Sequence, residues 1–184
     1  YNPRTQKGLL PTLHRGKEIP LVAELLEHAE AFFAEVENAC EAIRDRTARR
    51  NFDTEASPAG RNSRPWTELR IRKPDLVKDG VTLPLQRVRE AVSELVQSSD
   101  DEQTGLELME CNRRLGELRD EVALFLSQAA EDHVYWVERG GRAHRNLTLC
   151  AAPVDVAGYL RQRLFGSDTS VIMTSATLAV STGD

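Results

Sequence analysis

Thr174, Ser175 and Thr177 bring three short hydroxyl side chains together directly after the apolar run Val171-Ile172-Met173. A buried strand ending in such a cluster delivers its hydroxyls to the carboxyl edge of a parallel sheet, where ligands of α/β folds bind. Each hydroxyl donates and accepts on a short stem, and Ala176 between them lets another backbone approach closely. This is hydrogen-bonding chemistry rather than nucleophilic catalysis. Nothing in the chain resembles a Ser-His-Asp set on a nucleophile elbow, or paired carboxylates in an acid/base setting.

A second constellation is electrostatic. Between Arg44 and Lys73 stand nine basic residues against four acidic ones, a local charge of +5 in a chain whose formal net charge is −5. The overall balance argues against a wholesale nucleic-acid coat, which needs excess Lys and Arg along the phosphates. The local excess still needs an account. Arg49, Arg50, Arg61, Arg64, Arg70 and Arg72 are candidate phosphate contacts, and Trp66 is a candidate stacking platform, worth roughly 1 to 3 kcal/mol per base. The competing account is a solvated charge run with Trp66 packed beneath the loop.

Other chemistries find little support. Cys40, Cys111 and Cys150 are an odd number, far apart, with no CxxC or Cys/His spacing, so neither a disulfide framework nor a zinc site is indicated. His14, His28, His133 and His144 share no helical face. Gly16-Lys17 is followed by Glu18 and has Pro11 where a phosphate-binding loop needs its first glycine. No apolar stretch is long enough to span a membrane and no signal-peptide run opens the chain, so a cytoplasmic protein is expected.

Several elements must position these residues. From Pro20 to about Arg50 the residues Val22, Leu25, Ala29, Phe32, Val36, Ala39 and Ile43 alternate steps of three and four, predicting a long amphipathic helix. Residues 51 to 65 lack periodicity and read as a loop, with a short strand at Trp66 to Ile71. A second helix is expected from Thr82 to Gln97, with Leu85, Val88, Val92 and Leu95 inward. A third is expected from Glu102 to Glu131, with a seam of Leu108, Cys111, Leu115, Leu118, Val122, Phe125 and Ala129. After His133 the period changes to that of strands. Val134 to Val137 and Leu147 to Ala151 predict a hairpin around Gly140-Gly141-Arg142. Asp155 then caps a helix with Val156, Tyr159, Leu160 and Leu164 on its inner face, and Ser170 to Met173 is expected as a parallel strand completing a strand–helix–strand crossover. Too few strands are present to cover that unit. The chain opens on Tyr1 and stops six residues beyond Leu178, and both ends read as cut.

The string Thr174-Ser175-Ala176-Thr177-Leu178 resembles the Ser-Ala-Thr motif III of superfamily 2 helicases, in the form found in the DinG branch. Upstream, Val134-Tyr135-Trp136-Val137-Glu138, Leu149 to Val156, Leu160-Arg161 and Leu164-Phe165 are similar to the segment by which DinG-type proteins re-enter the first motor domain. In that family a helical arch precedes this segment, where residues 20 to 131 fall. The resemblance implies a mainly α chain: a lead-in over 1–19, a helical bundle serving as the arch over 20–131, and a small α/β piece of a RecA-like motor domain over 132–184. It implies part of an ATP-dependent DNA helicase of the DinG and XPD-like group, unwinding 5′ to 3′ in repair or replication. Thr174, Ser175, Ala176 and Thr177 would couple hydrolysis to DNA contacts. ATP and Mg²⁺ would be cofactors of the whole protein, single-stranded DNA and the rest of the motor core its partners. This chain alone, with neither phosphate loop nor Asp-Glu-Ala-His box, is expected to be inactive. Members of the group often carry an iron–sulfur cluster; the three cysteines match none of its spacing, which leaves a cluster elsewhere in the protein open. The competing class is a helical protein-docking module without motor function.

Overall fold

A computed structural model describes residues 18–52, 66–141, 146–166 and 170–172. Its elements in chain order are α1 (Glu18–Phe52), β1 (Glu68–Ile71), α2 (Thr82–Gln97), α3 (Glu102–Ser127), β2 (His133–Gly140), β3 (Asn146–Pro153) and α4 (Val156–Leu160), the last running on as a π-helical turn over Arg161–Phe165. The chain is mainly α, with a small three-stranded antiparallel sheet. It divides into two compact units, residues 1–152 and 153–184. Within the first unit, β2 shares a core with the helices through Tyr135 and Val137.

α1 forms where its apolar period predicts, and Phe32, Val36 and Cys40, each four residues on from the last, are its most buried side chains. They meet Trp66 and Ile71 from the start of the sheet, Val81 and Leu85 from the head of α2, Val122, Phe125 and Leu126 from the end of α3, and Tyr135 and Val137 from β2. A smaller cluster of Val88, Val92, Leu95 and Leu108 closes the far end of the α2–α3 pair. Both helices are capped by carboxylates. Asp79 accepts the N–H groups of Val81 and Thr82, each at 3.0 Å, and Asp101 accepts that of Thr104 at 2.8 Å.

α3 departs from the expected seam. Leu108, Leu115, Val122 and Phe125 face inward, but Cys111 and Leu118 are exposed. The inward stripe instead passes through Asn112, Gly116, Arg119 and Leu126. Gly116 leaves room for Arg89 of α2 to lie across it, since an added Cβ would sit 3.1 Å from the guanidinium carbon. Arg89 Nε donates to Asn112 Oδ1 at 3.1 Å and Arg119 Nη1 donates to Gln86 Oε1 at 2.7 Å. A polar strip at this interface hides the true period from a hydrophobic pattern. The helix also stops earlier than expected. Gln128 takes a left-handed conformation (φ 48°) and its side chain donates to Lys73 O at 3.0 Å, tying the helix end to the segment after β1.

In the sheet, ordered β1-β2-β3, β1 pairs antiparallel to β2 with Leu69 opposite Val137 and Ile71 opposite Tyr135. The hairpin between β2 and β3 forms as expected. It turns through Gly141 at φ +74°, where a Cβ would meet Asn146 Nδ2 at 2.6 Å.

The second unit corrects two expectations. Asp155 caps α4 by accepting the N–H of Gly158 at 2.9 Å, but the face of Val156, Tyr159, Leu160 and Leu164 is exposed rather than inward. Ser170, Val171 and Ile172 form no strand, and Ile172 is 89% exposed, so no parallel crossover is built among the described residues. A strand exists only against neighbours that complete its hydrogen bonds, and the sheet here is antiparallel and already ordered without this segment.

Candidate nucleic-acid interface

The expected site residues fall into three groups. Thr174, Ser175, Ala176, Thr177, Arg61 and Arg64 lie outside the described residues. Arg49 and Arg50 occupy the last turns of α1, with only their backbone described. Trp66, Arg70 and Arg72 are described in full.

Trp66 is not available to stack a base. It is 8% exposed, its Nε1 donates to Glu41 Oε1 at 2.9 Å, and the guanidinium of Arg139 lies 4.5 Å from its ring centre. Arg139, with only 12% of its side chain exposed, also pairs with Glu37 and, at 3.4 Å, with Glu41. Arginine over indole is a favourable cation–π arrangement, and the two glutamates from one face of α1 supply the countercharge. The indole therefore packs into the core beside α1 and β2. Sequence reasoning missed Arg139 altogether. The available signal was Glu37 and Glu41, one helical turn apart beside the buried Val36 and Cys40, a pair of carboxylates that close to a core needing a cation.

This cluster also sets the chemistry of Cys40. Burial pushes the thiol up to about 11, the nearby Glu41 and Glu37 add to the rise, and Arg139 opposes it. A thiol so placed is a core side chain and not a nucleophile.

Arg70 and Arg72 are exposed, and they border a groove of about 1040 Å³ between α1 and the segment from Leu69 to Leu76. Its floor is aliphatic, with Ala39, Ala42 and Ile43 from α1 and Leu69, Ile71 and Leu76 opposite; Arg46 and Lys73 join the two expected arginines around it. Arg46 and Lys73 belong to the basic stretch the sequence marks, but only the fold brings them to one opening. Among the described residues none of these four cations is held in an ion pair, in contrast to Arg44, which pairs with Glu41 at 3.0 Å.

A triphosphate is usually held by free N–H groups at a helix start; at α2 the N–H of Thr82 is engaged by Asp79, and at α3 that of Thr104 by Asp101. α4 begins under Asp155 and is five residues long. No group of His, Cys, Asp and Glu among the described residues is placed to hold a metal ion. None of the described helices is long and apolar enough to cross a membrane.

Comparison with known proteins adds no relative: no family model matches the chain, and neither a curated protein nor a solved structure matches it.

Proposed function

We propose that this chain is part of an ATP-dependent DNA helicase of the DinG and XPD-like group, in which α1 to α3 form the helical insertion that guides single-stranded DNA and residues 174–177 couple hydrolysis to DNA contacts. The motif III resemblance supplies the family, and one structural observation supports the motor part: the uncovered apolar surface after β3. Of the fourteen large exposed hydrophobic side chains among the described residues, eight fall between Val154 and Ile172, with Val154, Val156, Phe165 and Ile172 each more than half exposed. Burying such a side chain contributes roughly 1.5 to 3 kcal/mol. A helix and an apolar segment left bare in this way are what one edge of a larger α/β domain presents when its remaining layers are missing. Those layers would also bring the phosphate loop and acidic box.

On this proposal the DNA contacts are electrostatic, made by Arg49, Arg50, Arg61, Arg64, Arg70 and Arg72, without Trp66. Fluorescence anisotropy with labelled oligothymidylate at two salt concentrations tests it. Binding that weakens as salt rises, and weakens further in the Arg49→Ala/Arg50→Ala variant, agrees with an insertion that guides DNA. Absence of binding at low salt would leave a protein-docking module as the better account.

A further inference from the structure

We propose that the groove beside β1 is a docking site for an extended segment of another protein in which acidic residues alternate with apolar ones. This does not rest on the motor proposal and differs from it at two residues, Arg70 and Arg72, which it assigns to this groove rather than to DNA. The first support is where the strand's free hydrogen-bonding groups point. Arg139 N–H donates to Thr67 O at 2.8 Å, which makes Thr67 and Arg139 a hydrogen-bonded pair. In an antiparallel ladder such pairs alternate, so Leu69 and Ile71 bond to β2 while the N–H and C=O groups of Arg70 and Arg72 point away. β1 is the outermost strand in the order β1-β2-β3, and that edge is unpaired among the described residues.

The groove runs along this edge. Successive side chains of a strand point to opposite faces, yet the consecutive residues Leu69, Arg70, Ile71 and Arg72 all border the groove. Only an opening along the edge meets both sets. An incoming strand would find backbone partners there, the arrangement of strand addition.

The lining then selects the occupant. Among the described residues no aromatic side chain borders the groove, so they offer nucleic acid charge for its phosphates but no platform for its bases. The aliphatic floor around Ile43 and Leu69 instead suits leucine or isoleucine side chains. Among the described residues Arg46, Arg70, Arg72 and Lys73 outnumber the one carboxylate bordering the groove, Asp75, and although β1 itself begins with Glu68, the positive excess disfavours a second copy of the same edge. An acidic segment turns that repulsion into attraction.

The test uses the whole chain and three labelled probes followed by anisotropy: a peptide of about ten residues alternating aspartate with leucine, its asparagine counterpart, and oligothymidylate. The acidic peptide is expected to bind, with affinity falling at least about tenfold in Arg70→Glu/Arg72→Glu and for the asparagine counterpart. Amide exchange of the unsubstituted chain keeps the result independent of the variant's folding: the peptide is expected to slow the Arg70 and Arg72 amides. Failure of the acidic peptide to bind, equal binding of the asparagine counterpart, unchanged exchange at Arg70 and Arg72, or displacement of the peptide by oligothymidylate would each overturn the proposal. Displacement would assign the groove to nucleic acid and leave the motor proposal standing.

Discussion

The guanidinium of Arg139 rests 4.5 Å from the centre of the Trp66 ring, and through that contact the middle of α1 is joined to the end of the β1–β2 pairing where β1 begins and β2 finishes. Glu37 and Glu41 hold the arginine from the helix, and Trp66 Nε1 is held by the same Glu41. Removing the indole should therefore cost stability and leave DNA affinity nearly unchanged. Trp66→Ala is expected to lose about 3 kcal/mol in urea unfolding. Arg139→Met, which keeps much of the apolar stem but strands two partly exposed glutamates, should lose about 2 kcal/mol. In a Trp136→Phe background the same change should also red-shift Trp66 emission. A Trp66→Ala variant of unaltered stability would show that this contact contributes nothing.

Cysteine reactivity follows from the same cluster. Cys111 is exposed on α3, whereas Cys40 is buried with its thiol raised to about 11. At pH 8 a thiol reagent should modify Cys111 rapidly and leave Cys40 untouched until denaturant is added. Cys150, half-buried and with its thiol raised chiefly by burial, should react more slowly than Cys111. Prompt modification of Cys40 in the native chain would contradict the packing of α1 on the sheet.

The two capping carboxylates predict an acid limb. Burial of Asp79 acts to raise its pKa, but the hydroxyl and N–H of Thr82 and the N–H of Val81 outweigh it and hold the group below its ordinary value. Asp101 is held low by the Thr104 hydroxyl and N–H. A carboxylate whose folded pKa is lowered stabilises fully above its unfolded pKa of about 4 and loses that contribution as pH falls through the folded value. The urea midpoint should thus stay level from pH 7 to pH 5 and drop below about pH 4. Asp79→Ala is expected to lose about 1 kcal/mol at pH 7, and the Asp79→Ala/Asp101→Ala pair should show a shallower acid limb. An unchanged limb in the double variant would remove the caps as its cause.

The bare surface after β3 predicts a separation of effects. Val156→Glu and Phe165→Glu replace side chains that are 54% and 63% exposed. In this chain alone they should change unfolding stability by less than about 0.5 kcal/mol and reduce self-association. If the proposed motor reading holds, the same changes should abolish docking to the rest of the motor domain. Loss of stability in the isolated chain would mean that this face is already covered.

Much of this architecture can be read from apolar spacing. α1 and α2 bury the stripes their sequences predict, because a single 3.6-residue period is uninterrupted from Val22 to Ile43 and from Leu85 to Leu95. α3 misleads because Asn112 and Arg119 take inward positions, satisfied by Arg89 and Gln86 of the neighbouring helix. Such partners are invisible one element at a time. The site is less legible than the fold. Basic composition marks Arg70 and Arg72, but their meeting with Arg46 across an aliphatic floor depends on how α1 lies beside β1. Trp66 is the clearest case: indole next to arginines in sequence suggests stacking on DNA, and only Arg139, seventy-three residues away, decides otherwise. The Val171-Ile172 segment failed for the opposite reason, since a strand propensity has no effect without neighbours to pair with.

The central claim, that residues 174–177 couple a nucleotide-driven motor to DNA, is tested most directly by measuring DNA-stimulated ATP hydrolysis and strand separation together. The measurement is made on the full protein of which this chain is proposed to be part, with and without Thr174→Ala/Thr177→Ala. The account predicts that the unaltered protein does both, that the variant still hydrolyses ATP but separates strands at least about tenfold more slowly, and that this chain by itself does neither. Strand separation at the unaltered rate in the variant, or hydrolysis by the isolated chain, would contradict it.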